Sequence, residues 1–151
     1  MNQQSKISKI AFVKAGWHAN IVNKCLEGFN EELEQSGQST SVQVFDVPGA
    51  YDIPLLDKKL GQSGRFDAIV ASAFVVDVGI YRHDFVSATV VQAMMDTQLE
   101  TGVPILSAVL TPHNFQETDA HITFFKEHFV IKGHEAARAC LQVIGTLEMA
   151  A

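Results

Sequence analysis

The spacing of apolar residues along the chain switches repeatedly between two patterns. Near-continuous apolar runs, typical of strands buried on both faces of a parallel sheet, occupy residues 7–15, 42–45, 66–76 and 103–110. Apolar residues that recur every three or four positions, as on one face of a helix, follow them. These helical patterns cover residues 21–33, 53–60, 82–100, 115–127 and 133–147, and Gly37 is expected to end the first of them.

Strands that alternate with helices predict right-handed crossovers and a parallel sheet covered on both faces. We therefore expect an α/β fold, a three-layer α/β/α sandwich with a four-stranded parallel sheet. A length of 151 residues fits one domain over residues 1–151, in which the polar residues 1–6 are expected to be disordered.

Composition narrows the class of partner. The chain is 47% hydrophobic and 19% charged, as is usual for globular proteins, and its formal net charge is −6. The 11 Lys and Arg residues are scattered, which argues against nucleic acid and against an anionic membrane as partners. Cys25 and Cys140 lie in helical patterns and are expected to be buried. Without a signal peptide or an apolar run of membrane length, the chain is expected to be cytoplasmic.

Ligands of parallel α/β sheets bind beyond the carboxyl ends of the strands. This rule selects residues 16–20, 47–54, 77–83 and 111–114. Trp17, the single tryptophan, directly follows the first strand, where it would suit stacking on a flat heterocycle. The alternative is that Trp17 fills the seam between helix and sheet.

The loop Val-Pro-Gly-Ala-Tyr-Asp-Ile-Pro at residues 47–54 carries one carboxylate, Asp52, which could accept hydrogen bonds from ligand hydroxyls. The alternative is a rigid turn with a solvated Asp. Gly79 and Ile80 precede a predicted helix start, whose backbone N–H groups would favour an anion. Arg82 could bind phosphate, and His83 could carry a proton; the alternative for both is a solvated first helical turn.

Several common motifs are absent from the sequence. It has no Gly-x-Gly-x-x-Gly and no Gly-x-x-x-x-Gly-Lys-[Ser/Thr] segment. Its six histidines form no closely spaced pair near a cysteine, so no metal site is expected. The cysteines lack the local context of a nucleophile.

Four segments together resemble the lumazine synthase family. They are VPGAYDIP at 47–54, FDAIVASAFVV at 66–76, TGVPILSAVLT at 101–111 and KGHEAA at 132–137. They occur in the family's order and spacing, and the likeness runs from about Lys9 to Leu147. The resemblance implies a flavodoxin-like fold and a role in riboflavin biosynthesis.

The resemblance implies a reaction without a cofactor. Such enzymes condense 5-amino-6-(D-ribitylamino)uracil with 3,4-dihydroxy-2-butanone 4-phosphate to 6,7-dimethyl-8-ribityllumazine, and the substrate's own amine is the nucleophile. The enzyme then has to align two substrates and move protons. The implied substrate-binding residues are Trp17, Ala50, Tyr51, Asp52, Phe74, Val75, Val76 and Ser107, the last facing a neighbouring subunit's site.

The sequence departs from the family at two charged positions. The family's histidine proton donor aligns with Arg82, one residue before His83, so both are candidate catalytic residues. The family's phosphate-binding arginine has no counterpart, and His121 is the candidate in its place beside Gly79, Ile80 and Arg82. Members of the family form pentamers, of which some stack into decamers and others close into icosahedral shells of 60 chains; these departures favour the divergent decameric type II subclass.

Two other functions remain open from the sequence. One is a flavin- or lumazine-binding module on a flavodoxin-like fold, which would explain Trp17 and the predicted anion site. The other is a paralogue with little catalysis that serves in assembly, since a fold does not fix a function.

Overall fold

The computed structural model describes residues 6–77, 83–112 and 114–151, and it confirms the predicted succession of elements up to the fourth strand. The strands are β1 (Ser8–Ala15), β2 (Thr40–Val47), β3 (Ala68–Phe74) and β4 (Ile105–Leu110). The helices are α1 (Ala19–Ser36), α2 (Ile53–Gln62), α3 (His83–Thr101) and α4 (Asp119–Ala150), and a single 3₁₀ turn, Ala50–Asp52, precedes α2. As expected, Gly37 ends α1, in a left-handed conformation (φ 69°).

The four strands form one parallel sheet in the order β2-β1-β3-β4. Helices α1 and α4 cover one face, where Phe12, Phe29 and Phe129 are fully buried. Helices α2 and α3 cover the other, around Val13, Ile69 and Val90. This arrangement confirms the predicted three-layer sandwich, and the strand order matches the first four strands of a flavodoxin-like sheet.

The prediction of two helical segments after β4 was wrong. Residues 115–118 precede the helix, and α4 then runs without interruption over 32 residues. The hydroxyl of Thr118 caps its first turn by accepting a hydrogen bond from the backbone N–H of His121 (3.3 Å). Gly133, which lies at the boundary of the two predicted segments, is a buried helical residue.

Gly133 belongs in the helix because α1 and α4 cross there with almost no space between their backbones. A Cβ atom on Gly133 would collide with the carbonyl oxygen of Cys25 on α1, and one on Gly28 would collide with that of Val130 on α4. The close packing of the two backbones at this crossing outweighs the low helix propensity of glycine.

Within the residues described, no helix has both the length and the apolarity that a bilayer crossing requires. Both cysteines are buried as expected, and burial raises the pKa of the Cys25 thiol to about 11 and that of Cys140 to about 12. Neither is therefore a thiolate near neutral pH.

Candidate functional site

The carboxyl ends of the four strands meet at one edge of the sheet and are tied together in pairs. The backbone N–H of Gly16, after β1, donates to the carbonyl oxygen of Val47 at the end of β2 (2.9 Å). After β3 and β4, the Thr111 hydroxyl donates to the carbonyl oxygen of Val75 (2.6 Å). The segments that the sequence selected therefore start from a common, hydrogen-bonded edge.

The VPGAYDIP loop is closed by its own carboxylate. Asp52 accepts a hydrogen bond from the backbone N–H of Gly49 through Oδ2 (3.0 Å), and its own N–H donates to the Gly49 carbonyl oxygen (3.1 Å). An ionised carboxylate has about four acceptor positions, so the exposed Asp52 keeps capacity for ligand hydroxyls. Ala50 is half-buried, whereas the Tyr51 side chain is 76% exposed. Asp52 thus both shapes the loop and offers a charge.

Trp17 lies beside this loop with half of its surface open. The residue is 53% exposed and belongs to neither buried cluster. Its indole Nε1 would be 3.8 Å from a Cβ atom on Gly49, so the glycine leaves room next to the ring. A tryptophan that filled the seam between helix and sheet would be buried, and this exposure therefore favours the stacking alternative.

Fewer groups at the end of β3 are accessible to a ligand than the sequence suggested. Phe74 is 3% exposed, and its ring packs edge-on against those of Phe115 and Phe129. The backbone N–H of Val75 donates to Leu110 (2.9 Å), and its carbonyl oxygen accepts the Thr111 hydroxyl. Val76, the third predicted residue of this strand end, has a half-buried side chain.

His83 is held by a carboxylate that the sequence reasoning did not single out. Oδ1 of Asp77 lies 2.8 Å from the ring Nδ1 of His83 and also accepts its backbone N–H (2.7 Å). An ionised carboxylate can only accept, so Nδ1 carries a proton and Nε2 is left for proton exchange. The signal in the sequence was a lone Asp directly after a buried strand, but the six-residue separation hid its partner.

His121 lies in the first turn of α4, half-buried between the rings of Phe115 and Phe125 (centroids 6.2 and 6.5 Å away). Its Nδ1 accepts the backbone N–H of Gln116 (3.1 Å). In the neutral ring the proton must then be on Nε2, which makes that nitrogen a donor suited to an anion.

Ser107 lies on β4, an edge strand of the sheet, and its side chain is exposed. Its hydroxyl accepts a local hydrogen bond from the backbone N–H of Val109 (3.3 Å). It is not brought to the strand ends within one chain. That Ser107 faces a neighbouring subunit stays a prediction.

Helix α3 has an open apolar surface next to that edge. Four large side chains are between 42% and 75% exposed on one side of it, opposite the buried Val90 and Met94. We call this surface the α3 stripe; it consists of Phe85, Val91, Met95 and Leu99. Contiguous exposed apolar surface of this kind marks an interaction face.

Three predicted phosphate-site residues, Gly79, Ile80 and Arg82, lie outside the described residues. For the ranges that are described, no cluster of three or more His, Cys, Asp or Glu is arranged to hold a metal ion. Two open grooves lie at the opposite edge of the sheet, near Gly37 and near Arg65, and none of the predicted site residues lines them.

Comparison with known proteins identifies the family. Residues 8–148 match the family model described as 6,7-dimethyl-8-ribityllumazine synthase. The chain is 48% identical over 141 residues to the 6,7-dimethyl-8-ribityllumazine synthase of Rhodococcus erythropolis, covering 93% of this chain and 91% of that protein. It is 49% identical over 144 residues to the 6,7-dimethyl-8-ribityllumazine synthase 2 of Bradyrhizobium diazoefficiens, covering 95% and 87%.

A flavodoxin-like domain from Synechococcus sp. aligns with 87% of this chain and 99% of its own, at 10% identity and a TM-score of 0.40. Three of the four sequence segments reach the carboxyl edge of the sheet, the fourth, KGHEAA, lies within α4, and the family model matches residues 8–148. This chain belongs to the 6,7-dimethyl-8-ribityllumazine synthase family, transferases of riboflavin biosynthesis.

Proposed function

We propose that the catalytic site lies at the carboxyl edge of the sheet, with Trp17 stacked on the pyrimidine ring of 5-amino-6-(D-ribitylamino)uracil. The half-exposed indole beside the VPGAYDIP loop is the observation that carries this proposal. A flat heterocycle on an open aromatic face gains stacking without any rearrangement of the core. The neighbouring loop then receives the ribityl chain, for which Ala50, Tyr51 and Asp52 supply backbone groups and a carboxylate.

The reaction needs alignment and proton transfer more than covalent catalysis. The amine of the first substrate attacks the ketone of 3,4-dihydroxy-2-butanone 4-phosphate, and phosphate and water leave as the second ring closes. The contact with Asp77 supports a role of His83 in proton transfer, because it orients the ring through Nδ1 and leaves Nε2 to face the substrates. Bringing both substrates to one edge supplies the entropic advantage of an intramolecular reaction. No step requires a cofactor.

Phosphate is assigned to a separate set of donors. Arg82 supplies a fixed charge, the backbone N–H groups of Gly79 and Ile80 supply further donors, and Nε2 of His121 is a weaker candidate.

The site is further proposed to be completed by a second copy of the chain, within a pentamer-based assembly. The α3 stripe and the exposed Ser107 on the edge strand support this proposal, because both are apolar or uncharged surface that a single chain leaves exposed. We assign the chain to the decameric type II subclass because of its departures at Arg82 and His121, and we place it in the cytoplasm.

The direct test is formation of the product. Purified protein is incubated with both substrates, and lumazine fluorescence is followed against the spontaneous rate without protein. The proposal requires a rate well above that background. Tight binding of flavin or lumazine without turnover would instead support the binding-module alternative. Neither binding nor turnover, in a protein that still assembles, would support the assembly paralogue.

Kinetics of two variants separate the proton and phosphate roles. Arg82→Ala is expected to raise the KM for the butanone phosphate while leaving the KM for the ribitylaminouracil unchanged. His83→Ala is expected to lower kcat, by about a hundredfold if it is the general acid–base. An unchanged KM for the butanone phosphate in Arg82→Ala would show that the phosphate role is wrong.

A further inference from the structure

His18 has an unusual backbone for a residue with a side chain. Its φ and ψ angles are 53° and 46°, in the left-handed region, and it is the one non-glycine residue with positive φ in the ranges that the structure describes. A conformation of this kind persists only when the surroundings fix it. The neighbours of His18 must therefore hold it in place.

Two aromatic rings hold the side chain. The imidazole packs edge-on against Phe74 (centroids 5.6 Å apart, 87° between planes) and against Phe115 (5.3 Å, 76°). These two rings are themselves edge-on to each other at 4.9 Å. His18 thus joins the end of β3, the segment that follows β4 and the start of α1. We call these three rings the His18 triad.

The backbone of His18 starts helix α1. Its carbonyl oxygen accepts the N–H groups of Ile21 (2.9 Å) and Val22 (3.0 Å), while its side chain makes no capping hydrogen bond. The side chain is therefore free for the ring contacts, and the carbonyl fixes the direction in which the chain leaves β1.

Trp17 lies between two fixed residues. Gly16 before it is hydrogen-bonded to Val47 (2.9 Å), and His18 after it is anchored by the triad. The indole itself is 53% exposed and has little packing of its own to hold it. Its direction must come mainly from the backbone on either side.

We infer that His18 is a positioning residue, which presents the Trp17 indole to the pyrimidine substrate by anchoring the strand-to-helix turn between Phe74 and Phe115. This inference rests on the proposed role of Trp17. It predicts that a variant without the imidazole loses the fixed position of the turn, even when the new residue tolerates the left-handed backbone. Substrate stacking would then weaken although Trp17 is still present.

The test uses His18→Gly, which tolerates positive φ but lacks the ring, and His18→Phe, which restores an aromatic ring. Because Trp17 is the single tryptophan, its fluorescence reports this position alone. For His18→Gly we expect lower steady-state anisotropy of Trp17 and a roughly tenfold higher KM for the ribitylaminouracil, with the KM for the butanone phosphate unchanged. His18→Phe is expected to recover most of both.

Phe66→Ala is the matched control, because it removes one ring of the edge-on pair that Phe66, two residues before β3, forms with Phe45 on β2. It is expected to lower stability without changing either KM or the Trp17 anisotropy. If His18→Gly does not fold, Phe115→Leu removes the contact from the other side and is expected to shift both readouts in the same direction.

Native anisotropy together with an unchanged KM for the ribitylaminouracil in the folded variant would overturn the inference. So would an equal rise in both KM values, because that would indicate a general loss of structure. Wild-type protein that forms no lumazine would refute the proposed function instead, and the anisotropy measurement would still decide whether His18 orients Trp17.

Discussion

The two helical layers of this protein solve the same packing problem in different ways. Helices α1 and α4 cross at Gly28 and Gly133, with backbone against backbone, and bury their apolar residues against the sheet and each other. Helices α2 and α3 also cover the sheet, but α3 leaves its stripe open and α2 buries the carboxylate of Asp57. Both layers leave apolar side chains exposed, among them Phe124 and Ile131 on α4 in the first layer. The difference is that the first layer joins its two helices backbone to backbone, and we propose that another copy of the chain covers the α3 stripe of the second.

The largest loss of stability is expected at the crossing of α1 and α4, where the two backbones lie closest together. Gly133→Ala places a methyl group against the carbonyl oxygen of Cys25, which cannot yield without moving a helix. We expect a loss of about 3 kcal/mol or more in the free energy of unfolding, measured by urea denaturation. Gly145→Ala is the control on the same helix, since nothing lies within 4 Å of its new methyl group. That variant should be neutral or slightly stabilising, and equal losses in both would contradict the close crossing.

The next largest change in stability is an increase, and it is expected on replacing Asp57 in the second layer. Asp57 is fully buried, and in the part of the chain that the structure describes neither of its carboxylate oxygens has a hydrogen-bond partner. Burial raises the pKa of Asp57 to about 7, above a value of about 4 in an unfolded chain. The stability it contributes is therefore fully present below about pH 4 and is lost as the pH rises towards 7.

Asp57→Leu should accordingly stabilise the protein by about 2–4 kcal/mol at pH 8 and by much less at pH 5. Urea denaturation at the two pH values measures this difference. The exposed Glu34→Gln, on α1, serves as the control and should leave the pH dependence unchanged. An equal gain for Asp57→Leu at both pH values would show that folding does not raise the pKa of Asp57.

A smaller change in stability is expected for the partly solvated polar side chains that link α1 to α4. Nδ1 of His134 lies 3.2 Å from Glu32 and Nε2 lies 3.0 Å from Glu31, while Arg138 also contacts Glu32 (2.5 Å). These groups link α1 to α4 but are partly solvated, so His134→Ala should cost only about 1 kcal/mol in thermal or urea denaturation.

Lys132→Ala is the comparison for that variant, because it removes an ion pair with Glu135 within α4 alone (3.0 Å). It should change stability by less than about 0.5 kcal/mol. A larger effect for Lys132→Ala than for His134→Ala would contradict the view that the interactions between helices matter more.

The two layers also explain how far the sequence could predict the molecule. The strands followed from their apolar runs, and the bounds of α1 and α3 were predicted to within three residues. Gly133 divided α4 in the prediction because helix propensity is local, whereas the crossing that favours glycine lies about a hundred residues away in the chain. The exposure of the α3 stripe could not be predicted, because the spacing of apolar residues does not show which apolar face of a helix the chain buries.

The candidate site shows the same limit. Motif order and strand-end position led to Trp17, Asp52 and His83, which follow from local sequence. Three other features depend on how the chain folds in three dimensions. They are the Asp77–His83 contact, the His18 triad and the hydrogen bond from Thr111 to the backbone of Val75. No local pattern contains that information.

The central claim is that the second layer and the site at its edge are completed by another copy of the chain. The test measures the mass of the assembly by native mass spectrometry and the rate of lumazine formation in Met95→Asp, a variant of the α3 stripe. Met149→Asp is the control, because Met149 is 88% exposed at the end of α4. We predict that the wild type and the control are multimers with equal activity, and that Met95→Asp becomes a single chain with less than about a tenth of the rate, which corresponds to roughly 1.4 kcal/mol. A single-chain Met95→Asp with full activity, or a wild type that turns over substrate as a single chain, would contradict the claim.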